Sequence, residues 1–205
     1  EQVEGVTHAP IVLRTSCLVK AARSCPRAST VVQIVMVHEH TAVRPAMPAD
    51  ADRIVDLVNA ESRGLTGEDR LTVADLRHEW RDPNVSLATD TRVAESHEGA
   101  LLAYADYANH GAPYVQGYGF LSLSPGEAAR AAGADLIQWL IERARTDVPK
   151  APAGARVTLI TMGLIDDKRL LGLWSDAGFV ETRRYYEMRM DLHETPPATA
   201  PAGYE

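Results

Sequence analysis

Residues 122–136, SLSPGEAARAAGADL, could bind a phosphate group at a turn between a strand and a helix. Pro125 and Gly126 mark the turn, and the predicted helix begins with small side chains. A helix N-terminus presents unpaired backbone amides and a positive dipole end, and small side chains let phosphate oxygens approach those amides. Alanine also has the highest helix propensity, so a well-formed helix start explains the same residues. The sequence leaves both interpretations open.

Other residue types that commonly do chemistry are sparse. His38 and His40 could ligate a metal, but no further ligand lies nearby, and a solvated arm explains them better. We therefore expect no metal. Cys17 and Cys25 are too few for a disulfide framework, and they favour a reducing, cytoplasmic setting.

The bulk composition limits the class of protein. A chain of 205 residues, 45% of them hydrophobic and 24% charged, is long enough for one globular domain. No apolar run approaches the roughly 18 residues that a membrane span needs, so we expect no membrane as a partner. The net charge of −7 disfavours nucleic acid as a partner, because binding to phosphates requires clustered lysines and arginines.

A regular pattern of strands and helices begins after the first 40 residues. The run TAVRPA predicts a strand, and Asp50 is a candidate cap for the first helix. A Thr-x-x-Asp box at Thr72 predicts a second helix, which ends at Pro83. Three strands follow, the first two joined as a hairpin by the turn at His97 to Gly99. A helix, a strand, a helix and a long last strand complete the order β-α-α-β-β-β-α-β-α-β, which predicts an α/β domain with a mixed sheet.

This order resembles the Gcn5-related N-acetyltransferase (GNAT) superfamily over residues 41–192. The segments VRPAMPADADRIVDLVN and LLGLWSDAGFVETRRYYEMRMDL show the resemblance most clearly. More narrowly, RHEWRDP, DTRVAE, PAGARVTL and the tail MRMDLHETPPATAPAGYE resemble the first half of actinobacterial tandem, mycothiol-synthase-like acetyltransferases. In such proteins a proline-rich linker leads into a second acetyltransferase domain.

The resemblance implies a binding site for the co-substrate acetyl-CoA. GNAT enzymes bind it where two adjacent strands separate, which implies pantetheine contacts with the backbone of Leu121, Ser122 and Leu123. The family's pyrophosphate motif is Arg or Gln, two residues, Gly, one residue, then Gly or Ala. The resemblance implies that the residues at this motif and directly after it bind the cofactor: Ala128, Ala129, Arg130, Ala131, Ala132, Gly133 and Ala134. Alanine replaces the basic residue and the middle glycine of that motif, and Arg130 is a substitute source of positive charge.

The family also places an Asn and a Tyr on the last helix, where the tyrosine commonly protonates the departing CoA thiolate. Asp167 and Trp174 occupy those positions here. An indole N–H is no useful acid near neutral pH, so Trp174 is also interpreted as a core residue and Asp167 as a helix cap. Tyr118 and Glu79 remain as candidates for proton transfer, against the alternatives of a packed aromatic and a solvated helix face.

We expect residues 36–192 to form the GNAT domain, with residues 1–35 as an N-terminal extension of unknown role and 193–205 as a proline-rich tail or linker. The resemblance implies an acetyl-CoA-dependent N-acetyltransferase that acts on a primary amine of a small molecule. It also implies a second GNAT domain or a second copy of the chain as partner. The alternative is a degenerate, non-catalytic GNAT-fold module, the structural or regulatory half of a tandem protein.

Overall fold

The computed structural model describes residues 10–15 and 41–186. The strands in this part of the chain are β1 (Pro10–Thr15), β2 (Thr41–Arg44), β3 (Thr91–Ser96), β4 (Leu101–Ala108), β5 (Gln116–Leu123), β6 (Thr158–Leu164) and β7 (Val180–Arg184). The α-helices are α1 (Ala51–Thr66), α2 (Val73–Glu79), α3 (Leu87–Asp90), α4 (Glu127–Arg145) and α5 (Lys168–Asp176). Of these, the short helix α3 was not predicted from the sequence.

The strands form one sheet in the order β2-β3-β4-β5-β6-β1-β7. Neighbouring strands are antiparallel except β5 and β6, which are parallel and are connected through α4. The prediction of an α/β domain with a mixed sheet is confirmed. The single parallel pair matters for function because its two carboxyl ends lie side by side.

Strand β1 comes from the segment predicted as an N-terminal extension. It pairs antiparallel with β6 on one side and with β7 on the other. The strands β6 and β7 are joined by a crossover through α5 and leave room between them for one more strand. Residues 10–15 therefore form part of the sheet, whereas Met36 to His40 and the tail 193–205 lie outside the described residues.

Local capping signals explain where the first two helices begin and end. Thr72 and Asp75 form the predicted capping box of α2. The helix ends at Glu79 and not at Pro83, because the last turn tightens to i→i+3 bonds ahead of the proline. Asp50 lies at the N-cap of α1 without capping it: its carboxylate instead accepts hydrogen bonds from both Nη atoms of Arg44, at 2.6 and 2.9 Å.

The end of α5 has the Schellman geometry that the sequence predicts. Gly178 takes a positive φ of 86°, and the amide of Phe179 donates to the carbonyl of Trp174 at 3.0 Å. The Phe179 ring then packs edge-on against Trp174 with 4.7 Å between the ring centroids. This contact fixes the turn from α5 into β7.

Buried side chains form one cluster on each face of the sheet. On one face α4 and α5 pack against small residues of β4, including Ala103 and Ala105, and against Leu121 and Leu123 of β5. On the other face α1 and α2 pack around Tyr104, with Ile54, Val58, Leu76 and Val93 among the residues. The functional groups described below lie mainly on this second face, where α2 is short and leaves the sheet partly uncovered.

Candidate active site

The parallel strands β5 and β6 separate partway along their length. Their paired residues run from Gln116 opposite Thr158 to Gly119 opposite Thr161. Both strands continue beyond that point, to Leu123 and Leu164, without further pairing to each other. A gap therefore opens between the two carboxyl ends.

A cavity of about 310 Å³ lies at the point of separation. Its lining includes Gly119, Thr161 and, from β4, Asp106. The Thr161 hydroxyl is buried and has no hydrogen-bond partner within residues 10–15 and 41–186. Thr161 shares its strand face with Leu159, which packs in the α4 and α5 cluster, so its hydroxyl lies on the face of the sheet opposite Asp106.

A larger cavity of about 780 Å³ adjoins the first, and Asp106 lines both. The larger one lies between the α2 region and the strands β4 and β5. Its walls include the aromatic side chains of Trp80, Tyr104 and Phe120. The volume is in the range of small-molecule sites in proteins.

Asp106 is the titratable group at the junction of the two cavities. Burial raises its pKa to about 7, and the negative charge of Glu79 also raises it, while a hydrogen bond from Tyr104 and the charge of Arg70 oppose the shift. The Tyr104 hydroxyl oxygen accepts from the Trp80 indole at 3.3 Å, which leaves its own proton for Asp106. A carboxylate with this pKa can exchange a proton with an amine near neutral pH.

The two predicted proton-transfer candidates lie on the walls of these cavities. Glu79, at the end of α2, lines the larger one, and partial burial raises the pKa of its carboxyl. Tyr118 lines the smaller one, and its hydroxyl is 3.3 Å from Oε1 of Gln116 while its ring centroid is 5.2 Å from that of His110. Neither makes a contact that singles it out as the catalytic group.

Side chains occupy the backbone groups of Leu123, one of the three β5 residues predicted to contact pantetheine. Glu61, from α1, accepts from the amide of Leu123 at 3.3 Å and from the hydroxyl of Ser122 at 2.6 Å. Arg169, from α5, donates to the carbonyls of Leu123 at 3.1 Å and Ser124 at 2.6 Å. The two side chains also form an ion pair at 3.1 Å. We call this arrangement the Glu61–Arg169 plug.

The plug is energetically delicate because Glu61 is largely buried. Burial raises the pKa of its carboxyl, and the nearby Asp167 adds to that shift, whereas the hydrogen bond from Ser122 opposes it. Breaking a buried pair by removing one partner leaves the other uncompensated. A ligand that enters the gap between β5 and β6 must therefore replace the hydrogen bonds that Arg169 gives to β5.

The predicted pyrophosphate residues lie in the first turns of α4. Gly126 is the N-cap with a positive φ of 109°, a conformation that favours glycine. Ala128, Arg130 and Ala134 are exposed, and Ala131 is half-buried. The guanidinium of Arg130 lies 3.7 Å from the carboxylate of Asp176, both on the surface.

Gly133 has a packing role that is visible in the structure. It is buried with Ala129 and Ala132 on the sheet-facing side of α4. A Cβ at Gly133 would lie 2.8 Å from a terminal carbon of Leu123 and 3.2 Å from one of Leu173. The glycine lets α4 approach β5 closely, which brings the N-terminal end of α4 near the end of β5.

The residues at the family's Asn and Tyr positions lie in the interior. Asp167 caps α5, and its side chain accepts from the amide of Leu170 at 2.9 Å. Trp174 is 0% exposed, and its indole nitrogen has no partner among the described residues. Trp174 packs in the core as interpreted from the sequence, and its ring has no surface that a ligand could contact in this conformation.

Sequence reasoning missed Asp106, Arg70, Glu61 and Arg169. Asp106 had a readable signal, because it is the only charged residue in the apolar strand LLAYADYA. The other three lie on amphipathic helices or in a polar loop, where a charged residue is ordinary. Their grouping depends on contacts between residues far apart in the chain.

Residues 10–15 and 41–186 show neither a cluster of metal ligands nor a membrane-spanning helix. No group of three or more His, Cys, Asp or Glu side chains in this part of the chain could hold a metal ion. No helix there is long and apolar enough to cross a membrane. The histidine pair His38 and His40 and both cysteines lie outside it.

Solved structures provide the comparisons. A GCN5-related N-acetyltransferase from Sphaerobacter thermophilus matches with 25% identity and a TM-score of 0.60, over 67% of this chain and 42% of that chain. A putative acetyltransferase from Salmonella typhimurium, solved with its cofactor acetyl-CoA, matches with 18% identity and a TM-score of 0.52, over 78% of this chain and 99% of that chain. A ribosomal-protein-alanine N-acetyltransferase from Brucella melitensis matches with 21% identity and a TM-score of 0.51, over 69% of this chain and 86% of that chain.

These matches define the fold. The chain has the α/β fold of the GNAT acetyltransferase structures, although it spans less than half the length of the first of them. Neither a protein-family model nor a curated protein matches the sequence significantly.

Proposed function

We propose that this protein is an acetyl-CoA-dependent N-acetyltransferase that acetylates a primary amine of a small molecule. The observation that supports this most directly is the position of Asp106. It lies where the larger cavity meets the smaller one at the gap between β5 and β6. The acceptor amine would bind in the larger cavity and the thioester of acetyl-CoA at the gap.

The chemistry follows from these groups. The Asp106 carboxylate takes a proton from the ammonium of the acceptor, and the free amine attacks the thioester carbonyl. The carbon–sulfur bond then breaks, the nitrogen loses its second proton, and CoA leaves as a thiol. Catalysis then occurs by direct transfer in a ternary complex.

The residues predicted for acetyl-CoA fit this role in part. The N-terminal turn of α4 supplies backbone amides for the pyrophosphate whatever the side chains are, and Arg130 supplies a cation nearby. The backbone groups of Leu123, however, are bonded to the Glu61–Arg169 plug. Pantetheine pairing with β5 therefore requires Arg169 to move.

The plug also supports a second candidate function. A chain that closes its own co-substrate gap, with alanines in place of the family's basic residue and middle glycine, suits a non-catalytic GNAT-fold module. The narrower resemblance to the first half of tandem acetyltransferases agrees with that candidate, since the second domain of such a protein could then catalyse the reaction.

Calorimetric titration with acetyl-CoA distinguishes the two functions. We expect the wild-type chain to bind acetyl-CoA and the Arg169→Gln variant to bind it about tenfold more tightly, because a charge-assisted hydrogen bond to β5 no longer has to be broken. Arg77→Gln is the matched control. Arg77 is an exposed arginine that pairs with Asp52 on the surface, and its loss should leave the affinity unchanged.

Each outcome has a clear meaning. Absence of binding by both the wild type and Arg169→Gln at millimolar acetyl-CoA would contradict the acetyltransferase and leave the non-catalytic module. Equal affinity of the two proteins would show that the plug does not compete with acetyl-CoA. Circular dichroism of the variant confirms that any loss of binding is not loss of folding.

A further inference from the structure

Arg70 presents a positive charge to both cavities. It lies in the loop between α1 and α2, and its guanidinium carbon is 5.3 Å from the centre of the Phe120 ring. It lines both the smaller and the larger cavity. Within the part of the chain that the structure describes, its guanidinium forms neither a hydrogen bond nor an ion pair. An arginine in this position is available to bind an anionic group of a ligand.

The backbone at Arg70 is held in place by a buried amide. Asn59, on α1, accepts hydrogen bonds from the amides of Arg70 at 2.9 Å and Leu71 at 3.0 Å, and donates to the carbonyl of Leu71 at 2.8 Å. Three bonds from one buried side chain fix the loop against the helix. The guanidinium therefore projects from a fixed point and stacks on an aromatic ring.

Opposite charges lie on the walls of the same cavities. Asp106 lines both cavities with Arg70, and Glu79 lines the larger one. The charge of Arg70 lowers the pKa of Asp106, and the two side chains form neither a hydrogen bond nor an ion pair among the described residues. The site thus holds a cation and carboxylates that do not neutralise each other by direct contact, with aromatic walls between and around them.

We infer that the larger cavity binds a free amino acid, with its carboxylate on Arg70 and its amino group at Asp106. The inference rests on the proposed function in one respect: under that function the bound amino acid is the acetyl acceptor. A ligand with one group of each sign satisfies both unpaired charges at once, and guanidinium matches a carboxylate with two parallel hydrogen bonds. The aromatic residues Trp80, Tyr104 and Phe120 favour an apolar or aromatic side chain on that amino acid.

Matched ligands test the inference without requiring catalysis. The probes are phenylalanine, phenylalaninamide and phenethylamine, which share the amine and the ring but differ in the carboxylate. Their binding to the whole chain is measured by calorimetry in the absence of acetyl-CoA. We expect phenylalanine to bind at least about tenfold more tightly than either analogue that lacks the carboxylate. A tenfold difference corresponds to about 1.4 kcal/mol, which an Arg–carboxylate pair in a cavity can supply.

The variant Arg70→Gln should remove this preference. We expect it to weaken the binding of phenylalanine about tenfold or more and the binding of phenethylamine less than twofold. Arg77→Gln should change neither affinity. Equal binding of the three ligands to the wild type, or equal weakening of all three by Arg70→Gln, would overturn the inference.

The same proteins separate this inference from the proposed function. If acetyl groups are transferred to phenethylamine as readily as to phenylalanine, the acetyltransferase stands and the amino-acid site is wrong. If phenylalanine binds through Arg70 but acetyl-CoA does not bind, the amino-acid site stands and the acetyltransferase is wrong.

Discussion

At the scale of single residues, Asp106 shows how a sheet position can tune an acid. It shares a strand face with Tyr104 two residues away, so the hydroxyl that hydrogen-bonds to it is set by the period of the strand. Asp106 is partly buried on the walls of the two cavities, and the negative charge of the nearby Glu79 further disfavours its ionised form. A carboxyl that is destabilised in its charged form costs folding free energy, which can be measured directly.

We expect the contribution of Asp106 to the free energy of unfolding to fall as pH rises from about 4 to about 7, because its pKa is about 7 in the folded chain, against 3.8 for an ordinary aspartate carboxyl. The folded protein binds the proton more tightly, and that contribution is lost once Asp106 ionises. The variant Asp106→Asn resembles the protonated acid at every pH. It should match the wild type near pH 4 and exceed it by about 2 kcal/mol at pH 8, in urea unfolding.

The matched control is Asp135→Asn, on an exposed position of α4. Its effect on the free energy of unfolding should stay within about 0.5 kcal/mol at both pH values. If Asp106→Asn shifted stability by the same amount at pH 4 and pH 8, the raised pKa of Asp106 would be contradicted.

At the scale of elements, β1 connects β7 to the rest of the sheet. Within the described residues β7 pairs only with β1, and β1 pairs with β6 on its other side. A strand inside a sheet uses the backbone donors and acceptors of both edges. Loss of β1 would leave β7 without a partner and β6 with an open edge.

We expect Leu13→Pro to lower the free energy of unfolding by about 3 kcal/mol, because proline removes a donor and is poorly tolerated in a strand that is paired on both sides. Leu13→Val retains the amide and a strand-forming side chain, and it should cost less than about 1.5 kcal/mol. Denaturant unfolding of both variants checks this prediction. Equal stability of Leu13→Pro and the wild type would contradict the place of β1 in the sheet.

Local features of the fold were predictable from the sequence. The Thr72 capping box, the hairpin at residues 96–100 and the Schellman ending at Gly178 each depend on a few neighbouring residues. The place of β1 was not predictable, because its partners lie about 150 residues further along the chain. For the same reason Asp106 and Arg70, which come from a strand and a distant loop, could not be grouped from the sequence.

At the scale of the whole molecule, two layers of helices hold a sheet whose parallel strands separate beside a cavity. The helix α4 lies against one face and the cavity opens on the other. Asp106 lies between the gap and the cavity. This arrangement suits a reaction in which a thioester and an amine approach from different sides. The proposed reaction therefore depends on Asp106 as its proton acceptor.

The most direct test of that account is the rate of CoA release from acetyl-CoA with phenylalanine and with phenethylamine as acceptors, followed from pH 5.5 to 9. We predict that kcat/KM of the wild type rises with pH through about 7, as Asp106 ionises. Asp106→Asn should lower it by roughly 10²–10³ and Asp135→Asn should leave it unchanged. CoA release that Asp106→Asn does not reduce, or no release with either amine at any pH, would contradict the account.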